Sequence, residues 1–175
     1  MSTYVALLRA VNVGGTGKLP MTELKSMCER AGFSDVKTYI ASGNVVFTTT
    51  KSAVQVKAAL ETALHAYAGK PVQVLVRSAA EMAAELAANP FPLAAPNRTV
   101  AIFMDQAPAT DTIEKLSGVK TEQVSLGKRE IYVHYGDGMA DSRLKVPGAE
   151  AGTARNMNTV AKLAAMAAAS GGESD

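Results

Sequence analysis

From Tyr4 to Val11 the chain is apolar except at Arg9, the pattern of a strand buried on much of both faces. The glycine-rich segment Asn12-Val13-Gly14-Gly15-Thr16-Gly17-Lys18-Leu19-Pro20 follows. Pro20 suits the first turn of a helix whose apolar positions Leu24, Met27, Cys28 and Ala31 recur at helical spacing until Gly32 stops it. Val36 to Ala41 and Asn44 to Thr49 are β-branched and aromatic, with Ser42-Gly43 as turn material between them, so the pair predicts a hairpin. A second helix is predicted over 51–68, with a stripe of Val54, Ala58, Leu60 or Glu61, Leu64 and Tyr67 before Gly69. Val72 to Val76 then alternates as a fourth strand.

The first 77 residues thus spell β-α-β-β-α-β, the order of a ferredoxin-like split βαβ unit. The rest reads as a looser echo. Ser78 and Glu81 form a capping box for an alanine-rich helix to about Asn89, and Asn89-Pro90-Phe91-Pro92 breaks it. A strand over 99–104, a short helix over 110–116, a hairpin over 123–126 and 130–135, and a helix from Thr153 to about Ala169 complete α-β-α-β-β-α, without a clear final strand. The expected fold is α+β, with two related ferredoxin-like subdomains over 1–77 and 78–169. Residues 170–175, rich in Gly and Ser, read as a flexible tail.

Composition narrows the setting. With 47% hydrophobic and 19% charged residues, most of the chain has the makeup of a globular protein and not of a disordered one. The single Cys28 forms no internal disulfide, and the opening residues lack a charged leader and apolar run, so a cytoplasmic setting is expected. Its most apolar stretch, Ala161 to Ala169, contains Lys162 and is too short for a bilayer span, so no membrane partner is expected. One Cys with only His65 and His134 offers no familiar metal-ligand spacing, and neither a metal nor a cofactor is expected. The net charge of +2 and a 5% aromatic content argue against nonspecific nucleic-acid binding.

Three segments carry candidate chemistry. In the loop after the first strand, Asn12, Gly14, Gly15 and Lys18, with Arg9 just before it, could present backbone N–H groups and cations to an anion; a plain connection explains the glycines equally well. The P-loop pattern fails, since Gly17-Lys18 precedes Leu19. Ser42 and Asn44 sit at a hairpin tip, as turn residues or as amide and hydroxyl ligands. Arg155 and Asn156 form a dense polar group at the predicted start of the last helix, where Thr153 can cap. His65 has Glu61 at i−4, which suits a surface pair, and Cys28 lies on the apolar face of its helix. No hydrolase or redox signature occurs, and catalytic residues are not assigned.

The phrases Tyr4 to Gly15, Leu19 to Leu24, Thr38 to Phe47 and Thr153 to Val160 together resemble domain-of-unknown-function family 1697 of bacterial proteins. The resemblance runs from Thr3 to about Ala165. The family's R-G-I-N-V-G-G stands here as Arg9-Ala10-Val11-Asn12-Val13-Gly14-Gly15, with Ala10 for the first glycine, and Met157 replaces the aromatic after R-N. The resemblance implies a compact α+β fold of two related subdomains and no particular activity. Three functions stay open: binding of a phosphate-bearing small molecule or nucleotide at a polar site between the subdomains, an acylphosphatase-like phosphohydrolase, and a protein-interaction module. The last would show an exposed apolar sheet face.

Overall fold

Strand β1 (Ser2–Leu8) stops three residues short of the predicted Val11. The cause is the backbone beyond it: Ala10 and Asn12 both take left-handed conformations, with φ of 55° and 56°, which no strand can accommodate. The computed structural model describes residues 1–12, 18–136 and 139–171. Gly14 and Gly15 and the remainder of 13–17, like the tail residues 172–175, lie outside the described residues. The chain divides into two compact units, Met1–Ala83 with the segment from Leu163, and Ala84–Lys162.

In the first unit β1 is followed by α1 (Met21–Arg30), β2 (Ser34–Thr38), β3 (Asn44–Thr49), α2 (Ala53–Ala68) and β4 (Val74–Ser78). The strands form one antiparallel sheet in the order β2-β3-β1-β4, with Tyr4 opposite both Phe47 and Ser78. Pro20 stands at the N-cap of α1, and Gly32 ends it at φ 90°, with Phe33 N–H donating to the Cys28 carbonyl and Gly32 N–H to that of Glu29. A capping box between Ser52 and Gln55 starts α2.

Alternation along β1 sorts its side chains. Tyr4, Ala6 and Leu8 join Val45, Phe47, Val74 and Val76 in a core with Leu24, Met27 and Cys28 of α1 and Val56, Leu60 and Leu64 of α2. The buried stripe of α2 is therefore Val56, Leu60 and Leu64, and three positions of the predicted stripe, Val54, Ala58 and Tyr67, are exposed. Val5, Leu7, Val46 and Leu75 point to the other face and are buried as well, as the unbroken apolar run predicts.

The capping box of Ser78 and Glu81 opens α3 (Ala79–Ala87) as expected. In the second unit β5 (Thr99–Phe103), β6 (Gln123–Leu126), β7 (Glu130–His134) and β8 (Thr153–Asn156) form an antiparallel sheet in the order β6-β7-β5-β8. Two expectations are corrected here. The helix predicted over 110–116 is a single 3-10 turn, Ile113–Lys115, because Thr110, Asp111 and Thr112 are poor helix formers and the Thr112 hydroxyl donates to the Ala109 carbonyl at 2.6 Å, a local bond that competes with the helix. The helix expected from Thr153 begins only at Met157, as α4 (Met157–Gly171), and the four residues before it pair with β5 as an edge strand. The second half therefore does have a final strand. On one face of this sheet Leu144, Val146 and Ala149 pack against the cluster of Val100, Ile102, Ile131 and Val133. No helix among the described residues is long and apolar enough to cross a membrane.

Candidate functional site

The end of β1 is held by one side chain. Asn12 Oδ1 accepts the Leu19 N–H at 2.6 Å, while its Nδ2 donates to the Leu19 carbonyl at 2.9 Å and to the Ala41 carbonyl at 2.7 Å. Both N–H groups of the amide are engaged, and the left-handed backbone that asparagine tolerates better than most residues aims it. Asn12 thereby fixes Leu19 and ties it to the β2–β3 connection. At the end of that connection Asn44, the first residue of β3 and fully buried, donates from Nδ2 to the Tyr39 carbonyl and to Ser42 Oγ, both at 2.9 Å.

Gly43 seats the connection on β1. The Leu8 N–H donates to its carbonyl at 2.9 Å, its φ is 91°, and a Cβ there would stand 2.7 Å from Val11 Cγ2 and 2.9 Å from Leu8 Cβ. Neighbouring Ile40 is exposed and held at φ 49°, a strained setting for a β-branched residue. The phrases of β1 and of the β2–β3 connection are thus brought together as a braced corner.

Beside this corner is a cavity of about 220 Å³. Val11, Leu19 and Leu64 form its buried floor, Val72 is half-buried, and Ala10, Lys18, Tyr67, Ala68 and Lys70 make an exposed rim. Neither lysine makes an ion pair or side-chain hydrogen bond with a described residue. The last turn of α2 contributes Leu64, Tyr67 and Ala68, and its left-handed cap, Gly69, turns the chain so that Lys70 and Val72 follow onto the same cavity. Lys18 was a candidate from sequence. Lys70 and Tyr67 were not, although Gly69 signalled the reversal that places Lys70.

Arg9 is half-buried beside the corner; its N–H donates to the Gln73 carbonyl at 3.0 Å, and its guanidinium has no partner among the described residues. Arg155 and Asn156 belong to the second unit. Arg155 lies in β8, not in a helix; its Nη1 donates to Thr153 Oγ1 at 2.9 Å and to the Ala154 carbonyl at 3.0 Å. Burial pushes its guanidinium down from 12.5 to about 10, leaving it charged at neutral pH. Asn156 Oδ1 accepts the Thr159 N–H at 3.0 Å, so Asn156, and not Thr153, caps the last helix. Glu61 pairs with Lys57 at 2.8 Å instead of with His65. Cys28 is buried, and burial, with the nearby Glu29 charge, raises its thiol from 9.0 to about 12. Among the described residues no group of His, Cys, Asp and Glu is arranged to hold a metal ion.

Among the described residues, two four-stranded antiparallel sheets and four α-helices define a mixed α and β protein. The chain belongs to the family described as protein of unknown function DUF1697, whose model matches residues 1–132. It is similar in structure to the conserved bacterial protein SP0830 of Streptococcus pneumoniae, with a TM-score of 0.79 and 29% identity over 95% of this chain and 98% of that one. No curated protein is significantly similar to it in sequence.

Proposed function

We propose that the chain binds a phosphate-bearing or similarly anionic small molecule at the cavity beside the β1 corner, with Lys18 and Lys70 as its cationic contacts. The observation that carries this reading is the pair of lysines, neither paired with a described residue, on the rim of a cavity with a buried apolar floor. Convergent polar groups over an apolar concavity are the usual form of a small-molecule site. Asn12 and Asn44 serve as braces in this reading, and Arg9 reinforces the positive potential nearby. A small ligand is favoured over a protein partner by the burial of both faces of β1 and β3 at the centre of the first sheet, which leaves no apolar face of these strands open among the described residues.

The setting we propose is the bacterial cytoplasm, in keeping with a lone buried thiol. We also read both halves as ferredoxin-like. The β-α-β-β-α-β order and the β2-β3-β1-β4 sheet support this for the first half, and the matching β6-β7-β5-β8 order supports it for the second.

The test is a thermal-shift series with inorganic phosphate, nucleoside monophosphates, an acyl phosphate and short RNA. A ligand at 100 times its Kd stabilises by about 2.7 kcal/mol. The expected outcome is a shift from small anions that Lys18→Ala and Lys70→Ala reduce and Arg155→Ala leaves in place. No shift from any anion, or shifts indifferent to both lysine variants, would overturn the reading.

A further inference from the structure

We infer that the occupant of this cavity is amphiphilic: a single anionic group, phosphate monoester or carboxylate, joined to one apolar ring or branched chain. This deepens the reading above and rests on it. Three observations carry it.

The first is the division of the lining. Val11, Leu19 and Leu64 are 7%, 6% and 1% exposed, whereas both lysines lie at the mouth. A fully hydrated anion gains nothing from that floor, and an apolar group does. The second is size. A cavity of about 150 Å³ accommodates a benzene ring, and drug-sized ligands occupy about 300–1,000 Å³. At about 220 Å³ the space suits one ring with one tetrahedral or planar anionic group, and a whole nucleotide exceeds it.

The third is electrostatic. The C-terminal turn of α2 supplies Leu64, Tyr67 and Ala68 to the lining, and the carbonyl end of a helix carries partial negative charge. It opposes an anion, and the lysines, being exposed, attract one only modestly. Charge alone therefore makes a weak site. Burial of an apolar group supplies the difference and also orients the ligand, tail on Leu64 and head between Lys18 and Lys70. Tyr67, half-exposed on the same rim, offers a ring edge to the tail and a hydroxyl to the head.

Calorimetric titration of the full chain with phenyl phosphate, inorganic phosphate, AMP and benzyl alcohol tests this, together with Lys70→Ala, Lys18→Ala and Val72→Thr. Phenyl phosphate is expected to bind roughly 10- to 100-fold more tightly than inorganic phosphate, the worth of one buried apolar side chain, and more tightly than AMP or benzyl alcohol. Each lysine variant weakens both phosphates. Val72→Thr, nearly isosteric, weakens phenyl phosphate and leaves inorganic phosphate unchanged. Equal affinity for phenyl phosphate and inorganic phosphate, both still dependent on the lysines, would overturn the amphiphile and leave the anion site standing. Tighter binding of AMP would do the same. Binding of none of the anions, or binding insensitive to both lysines, would overturn the two together.

Discussion

Asn12 closes a ring on Leu19, accepting its N–H at 2.6 Å and donating to its carbonyl at 2.9 Å. Because Leu19 floors the cavity and Lys18 precedes it on the rim, this ring sets the position of one cationic contact without touching a ligand. Asn12→Ala removes these bonds and the one to Ala41 and leaves a methyl at φ 56°. A loss of about 2–3 kcal/mol is expected from net hydrogen-bond values of ~0.5–1.5 kcal/mol each, with partial rescue by water. Asn12→Gly, which relaxes the backbone, should lose less. Urea denaturation of both variants checks the order.

Gly43 and Gly32 make a controlled pair. Both have φ near 90°, but a Cβ on Gly43 meets Val11 and Leu8 within 3 Å, and one on Gly32 meets nothing within 4 Å. Gly32→Ala should cost about 1–2 kcal/mol for the left-handed backbone alone. Gly43→Ala should cost about 2–5 kcal/mol, the same strain plus overpacking. Equal denaturation midpoints for the two variants would contradict the close seating of the β2–β3 connection on β1.

Ala10 stands where the family's pattern has glycine, and its φ of 55° gives the reason for that glycine. Ala10→Gly relieves about 1–2 kcal/mol of backbone strain and returns about 0.4–1 kcal/mol to the unfolded chain as entropy. A net stabilisation of about 0.5–1 kcal/mol is expected in equilibrium unfolding. Since Ala10 is exposed on the rim, ligand affinity should change little.

Cys28 makes stability depend on alkaline pH. Its thiol is held neutral in the folded state, with pKa raised from 9.0 to about 12, so above pH 9 the unfolded chain releases a proton that the folded chain keeps. The contribution is whole below pH 9 and is lost as pH rises toward 12, at up to about 1.4 kcal/mol per pH unit. Cys28→Ala should flatten that part of the pH profile while destabilising at neutral pH by the methyl-sized void it leaves. In the native wild type, iodoacetamide labelling of Cys28 should follow opening of the fold, and rapid labelling under native conditions would contradict its burial.

The first unit was legible in the sequence because its signals were long and redundant. The 16 residues of α2 carry an apolar stripe and a glycine stop, and β1 is an unbroken apolar run. The second unit is less legible, for physical reasons. Thr153-Ala154-Arg155-Asn156 draws its strand conformation from β5, a partner some fifty positions away, and four residues hold too little alternation to reveal it. The 3-10 turn over Ile113–Lys115 follows Thr110, Asp111 and Thr112, whose side chains favour local hydrogen bonds to the backbone over a helix. At the candidate site the loop pointed to Lys18, and the hairpin phrase pointed to Asn44. That both asparagines brace the backbone depends on which carbonyls the fold brings near them, which no local pattern encodes.

The most direct test of the central claim is amide chemical-shift mapping on the uniformly labelled chain titrated with phenyl phosphate. Saturable shifts confined to Val11, Leu19, Leu64, Tyr67, Ala68 and Lys70, abolished in the Lys18→Ala/Lys70→Ala double variant, are the result this account predicts. Shifts centred on Arg155 and Asn156, or no saturable shifts at all, would contradict it.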